Sequence, residues 1–185
     1  MEKRQKQKII ISLISAIAIL LILAVVWLLS KSYRFSQYKD PSRGFSLVYP
    51  ADWTLEENKN GAAVIFYSPV ENALDLFKEN VNIVVQDISR NPLNLDKYTE
   101  IAIHQLQVVF KQNIEILESS PAYIGDLPAY KLVYIGKGKD FDMKFTHVWT
   151  IKGDYAYQFT YTANVNSYDK FSLKVDRMLS SFHIQ

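Results

Sequence analysis

Cysteine is absent from the 185 residues. That excludes a disulfide framework, a thiolate metal site, a cysteine nucleophile and a lipidated N-terminal cysteine. Histidine is scarce too: His104, His147 and His183 are the full set, and no H-x-x-x-H or H-E-x-x-H spacing joins them, so the usual helical zinc patterns are missing. G-x-S-x-G, the P-loop and G-x-G-x-x-G do not occur, which removes the nucleophile elbow and the glycine-rich phosphate cradles. Ser167-Tyr168-Asp169-Lys170 fits S-x-x-K, but its companions S-D-N and K-T-G are lacking, and Ser167 is read as a helix cap instead.

Charge of one sign is lacking as well. The formal net charge is +2, and Lys3, Arg4, Lys6 and Lys8 against Glu2 already supply +3 within the first eight residues. The remainder is therefore close to neutral, and no nucleic-acid footprint is present in it.

What is present begins with a run of 21 uncharged residues, Ile9 to Leu29. As a helix it spans about 31 Å, matching a hydrocarbon core of about 30 Å. It is longer than the apolar region of a cleavable signal peptide, and its A-x-A pair, Ala16 and Ala18, falls in mid-run, so it is read as an uncleaved signal anchor. The basic residues before it favour a cytoplasmic N-terminus, and Trp27 suits the far interface. No G-x-x-x-G and no charge interrupts the run, so nothing marks a specific helix partner. The organisation expected is a cytoplasmic basic tail at 1–8, a single-pass transmembrane anchor at 9–29, a tether at 30–37 and an extracytoplasmic domain at 38–185.

Within that domain, strand chemistry appears at Gly44 to Tyr49, Ala62 to Tyr67 and Val81 to Ile88, separated by Pro50-Ala51-Asp52, Asn58-Lys59-Asn60-Gly61 and Ser68-Pro69. The period then changes. Tyr98, Ile101, Ala102, Leu106, Val109 and Phe110 form one helical stripe that Asn94 can cap. Strand patterning resumes at Ile114 to Leu117, Ala129 to Ile135, Met143 to Ile151 and Tyr155 to Thr162, with Lys152-Gly153-Asp154 as a tight hairpin turn. A closing helix carries Tyr168, Phe171, Val175, Met178, Leu179 and Phe182 on one face, with Asn166 or Ser167 as its cap. The fold class expected is α+β, an antiparallel sheet flanked by helices.

Five segments occur in an informative order: Gly44-Phe45-Ser46-Leu47-Val48-Tyr49-Pro50-Ala51-Asp52-Trp53, then Asn60-Gly61-Ala62, then Gly125-Asp126-Leu127-Pro128-Ala129-Tyr130. The tyrosine-rich strand Tyr155 to Ala163 and the ending Met178 to Ile184 follow. In that order and spacing, from about Tyr38 to Ile184, the chain resembles the PsbP/DcrB-like domain family. The resemblance implies an α/β/α sandwich around an antiparallel sheet, and an extrinsic or membrane-tethered accessory protein without catalysis. It carries over no metal-binding motif and nothing specific to photosynthesis.

The chemistry-bearing residues are few. His147 shares a strand face with Phe145 and Trp149; it is a candidate metal ligand or proton-transfer group, but a hydrogen-bonded histidine in an apolar layer is the plainer reading, since a metal needs several convergent ligands. Asp140 and Asp142 flank Phe141 and together suit a hard cation, yet Lys137, Lys139 and Lys144 around them fit a solvated hairpin end. Tyr155, Tyr157, Phe159 and Tyr161 occupy one strand face, expected beside Phe145 and Trp149 across the hairpin. There they either line a ligand or partner face or pack under a helix. Trp53 reads as a core plug after the Pro50 corner. The function expected is therefore membrane-anchored binding of a protein or small ligand, with no cofactor. The alternatives are a metal-dependent or hydrolytic enzyme centred on His147 with Asp140 and Asp142, and an assembly factor for a membrane complex.

Overall fold

The computed structural model describes residues 17–23, 34–70, 72, 77–139 and 141–185. The basic tail at 1–8, most of the expected anchor at 9–29 and the first part of the tether at 30–37 lie outside the described residues, as does Asp140. Residues 17–23 are helical and exposed (α1). Among the described residues no helix is long and apolar enough to cross a membrane. The chain divides into two units, Met1–Arg34 and Phe35–Gln185.

The second unit starts in strand. β1 (Phe35–Asp40) pairs antiparallel with β2 (Phe45–Pro50), so residues 35–37 are strand rather than tether. Gly44, at φ +68, leads into β2, a conformation glycine adopts without steric cost. β2 ends at Pro50, whose carbonyl accepts from the Trp53 amide at 2.9 Å. This tight turn drives Trp53 inward, where it is 4% exposed and meets Phe171 edge-on at 5.8 Å. The core plug expected from the sequence is in place.

β3 (Thr54–Lys59), β4 (Ala62–Tyr67) and β5 (Asn80–Asp87) follow. Asn60 (φ +53) and Gly61 (φ +81) join β3 to β4, the positive-φ pair that a type I′ hairpin requires. β3 was not legible as a strand, because Thr-Leu-Glu-Glu-Asn-Lys alternates little and is rich in charge. It lies at the edge of its sheet, where charge blunts edge-to-edge association.

α2 (Leu95–Phe110) is capped as expected: Asn94 Oδ1 accepts from the Lys97 amide at 2.9 Å. β6 (Ile114–Ile124) runs seven residues beyond its expected end. The register shift between Ile116 and Glu118 and the interior Pro121 hid it; both features are tolerated because β6 is the other edge strand. β7 (Leu127–Gly136), β8 (Met143–Lys152), β9 (Tyr155–Asn164), α3 (Tyr168–Ser180) and β10 (His183–Ile184) complete the chain. Ser167 occupies the N-cap position of α3, but its side chain makes no capping bond.

Two antiparallel sheets result, β1-β2-β10 and β3-β4-β5-β9-β8-β7-β6. The larger one has a core on each side. On one side Tyr157, Phe159 and Tyr161 pack with Phe171, Val175 and Met178 of α3 and with Phe45 and Leu47 of β2. On the other, Leu132, Tyr134, Trp149 and Ala156 meet Tyr98, Ala102, Leu106 and Phe110 of α2. The sheet is thus sandwiched between helices, as expected.

The register of β8 against β9 decides which residue joins which core. Lys152 pairs with Tyr155, so the turn is the two residues Gly153-Asp154, with Gly153 at φ +58. Trp149 then opposes Gln158, and Thr150 opposes Tyr157. Directly paired residues point to the same face, so Phe145, His147 and Trp149 share a face with Gln158, Thr160 and Thr162. They do not share one with Tyr155, Tyr157 and Tyr161. The expected grouping assumed a three-residue turn, and one residue of loop length inverts the face of the whole strand.

Candidate functional site

The residues expected to form a ligand face are distributed by that register. Tyr157 and Tyr161 are buried in the α3-side core. The Tyr157 hydroxyl donates to the Arg43 carbonyl at 3.0 Å, and that of Tyr161 to the Tyr168 carbonyl at 2.9 Å; burial pushes the Tyr161 hydroxyl far above its ordinary range. Trp149 is fully buried on the α2 side. Tyr155 is exposed at the hairpin end. These four side chains form no common surface.

Of the acidic pair, only Asp142 lies among the described residues. Asp142 Oδ1 accepts from the Gly138 amide at 3.2 Å, and Asp142 lines an open hollow with Lys139, Asn164 and Asn166. His147 lines a different one. Among the described residues no group of three histidines or carboxylates is placed to hold a metal ion. The S-x-x-K pair is likewise a helix start, with the Lys170 amide donating to the Ser167 carbonyl at 3.1 Å.

What the structure does assemble is a cleft of about 290 Å³ along one side of α2. α2 lies over the β7–β8 half of the sheet, with Phe110 against Tyr134 and Phe145. The cleft opens beside the helix, where Tyr98, Ile101, Ala102, Leu106 and Val109 face Gln86 of β5, Gln158 of β9 and His147 of β8. Ile101 and Val109 belong to the apolar helical stripe read from the sequence, whose natural place is against the core, but Val109 is 73% exposed and forms part of the cleft lip. The stripe had the right period and too wide an arc, because a helix over half a sheet buries only its central rows.

Four polar side chains cross the floor in one continuous chain. His147 Nε2 lies 3.0 Å from Gln158 Oε1, Gln158 Nε2 donates to the Tyr98 hydroxyl at 2.9 Å, and that hydroxyl donates to Gln86 Oε1 at 2.9 Å. An amide oxygen only accepts, so Nε2 of His147 carries the proton and Nδ1 is left as a bare acceptor. Nδ1 is buried without a hydrogen-bond partner among the described residues. Burial lowers the pKa of His147 to about 4, opposed by the bond to Gln158, so the ring is neutral at ordinary pH. The ring also stands edge-on to Trp149 at 4.8 Å, and the indole nitrogen donates to Thr99 Oγ1 at 2.9 Å.

This arrangement is suited to recognition rather than to acid–base work. A catalytic histidine needs a pKa near the working pH and a partner that gains or loses charge, whereas burial holds His147 neutral and its hydrogen-bond partner is an uncharged amide. The volume is close to the lower end of small-molecule pockets, about 300 Å³. His147 was singled out in the sequence; Gln86, Gln158 and Tyr98 were not, since their meeting depends on strand pairing between distant segments. The one signal was the polar face Gln158, Thr160 and Thr162 opposite the aromatic row.

The family model described as PsbP matches residues 33–184. Among solved structures the fold is similar to cyanobacterial PsbP (CyanoP) from Synechocystis, with a TM-score of 0.58, 18% identity, and coverage of 82% of this chain and 92% of that one. It is similar to LpqN, involved in cell envelope biogenesis of Mycobacterium tuberculosis, at TM-score 0.62 and 13% identity over 82% of this chain and 92% of that one. The Ran-binding protein Mog1p of Saccharomyces cerevisiae also matches, at TM-score 0.55 and 8% identity over 82% and 95%. No curated protein matches in sequence. At these identities the likeness to solved structures is one of fold.

Proposed function

Because the chain belongs to the PsbP family, we propose that it is a non-catalytic binding or accessory domain, held at the outer side of a membrane by residues 9–29 and working through a ligand seated in the α2 cleft. The observation that carries this reading is the cleft itself, with a neutral histidine, two amides and a phenol on its floor. The described lining of the cleft holds no Ser, Thr, Lys, Arg, Asp or Glu, and no group of three metal-ligating side chains occurs among the described residues. The 21-residue apolar run and the basic residues before it support the tethering.

Two measurements test this reading. The chain has no cysteine, so a single Leu173→Cys substitution, at a position 73% exposed, gives a unique topology probe. A membrane-impermeant maleimide should label it in intact cells; labelling only after lysis would overturn the orientation. Extraction of the tagged chain from its membrane should then recover a bound molecule that a Val109→Phe variant, narrowed at the cleft lip, fails to retain. Equal recovery by both would place binding elsewhere.

A further inference from the structure

Resting on the reading of the α2 cleft as the binding site, the lining specifies the ligand's charge. Among the described residues, ten border the cleft, and none of them is Asp, Glu, Lys or Arg. The only titratable groups among them are His147 and Tyr98. His147 is neutral above about pH 4, and burial raises the Tyr98 hydroxyl from an ordinary value that already lies well above neutrality. An ion entering such a space gives up hydration with no countercharge to replace it, a cost far larger than that of burying a hydrogen-bonded neutral group.

The polarity of the floor adds a second restriction. The hydrogen-bond chain runs in one direction, from His147 through Gln158 and Tyr98 to Gln86. At its starting end Nδ1 of His147 is buried away from the cleft space, so the polar groups that border the cleft are the neutral amides of Gln86, Gln105 and Gln158 and the Tyr98 hydroxyl. Leu93, Ile101, Ala102 and Leu106 supply the apolar wall. We infer that the cleft takes an uncharged ligand with an apolar body and a neutral polar tip, and that it rejects carboxylates and ammonium ions of the same size.

The test uses the full chain in nanodiscs of phosphatidylcholine, labelled with 5-fluorotryptophan. The three tryptophans, Trp27, Trp53 and Trp149, give separate fluorine resonances, and a Trp149→Phe variant assigns the one beside His147. Titration with benzamide should shift the Trp149 resonance saturably. Benzoate and benzylammonium, similar in shape and opposite in charge, should bind at least about tenfold more weakly. Val109→Phe should block the benzamide shift at the cleft lip. Equal binding of the ions overturns the inferred ligand class while leaving the cleft as a site. No shift of Trp149 with any of the three probes overturns both.

Discussion

The indole nitrogen of Trp149 donates to the hydroxyl of Thr99 at 2.9 Å, across 50 residues of chain. Both side chains are buried, so the bond ties α2 to the middle of β8 at a point water does not reach. Replacing Thr99 by Val keeps the shape and removes the acceptor, leaving a buried indole N–H unsatisfied. Denaturant unfolding should show a loss of about 1–3 kcal/mol, and Thr99→Ser should restore most of it.

Trp53 offers the contrasting case. Its indole nitrogen is buried with no hydrogen-bond partner among the described residues, so its contribution comes from packing against Phe171. Trp53→Ala should destabilise by about 3–5 kcal/mol, and Trp53→Phe by much less, since no indole bond is lost. Neither change should alter cleft binding in protein that remains folded, because Trp53 packs on the α3 side of the sheet.

The two long helices begin differently, and the difference is measurable. Asn94 accepts a backbone hydrogen bond at the start of α2, whereas Ser167 makes none at the start of α3. Asn94→Ala should cost about 1 kcal/mol. Ser167→Ala should stay within about 0.5 kcal/mol of the parent, and a larger loss would show that its hydroxyl caps the helix in solution.

His147 makes stability depend on pH. Above pH 6.5 its ring is neutral in both the folded and the unfolded chain. Between 6.5 and about 4 the unfolded chain takes up a proton that the buried ring refuses, so stability falls as the pH drops through this window and levels off below it. The full loss amounts to at most about 3 kcal/mol. Urea midpoints at pH 7 and pH 4.5 should therefore differ more for the parent than for His147→Phe, and identical differences would mean that the histidine titrates freely.

Much of the fold was legible because local chemistry and tertiary context agree. Gly44-Phe45 through Trp53 reads as strand, corner and plug, and folds as such. Asn94 reads as a cap and bonds as one. β3 was missed and β6 was read too short for the same physical reason: both lie at the sheet edges, where solvent on one side removes the demand for apolar alternation and admits charge, a register shift and a proline. The site was less legible still. His147 stood out by its residue type, but Gln86, Gln158 and Tyr98 are ordinary polar residues until pairing of β5 with β9 and β9 with β8 sets them beside it.

The sequence by itself determined the classes of chemistry that cysteine, histidine and motif scarcity exclude, the strand and helix periods, and the turn residues whose positive φ the chain requires, such as Asn60, Gly61 and Gly153. Only the tertiary structure decided which face each strand presents. Side chains alternate with a period of two, so a hairpin of two residues rather than three carries Trp149 and His147 to the α2 side and leaves Tyr157 and Tyr161 under α3. Alternation along a strand is written in its residues, while its phase relative to a partner is set by the closure of the turn and by which core each face can fill.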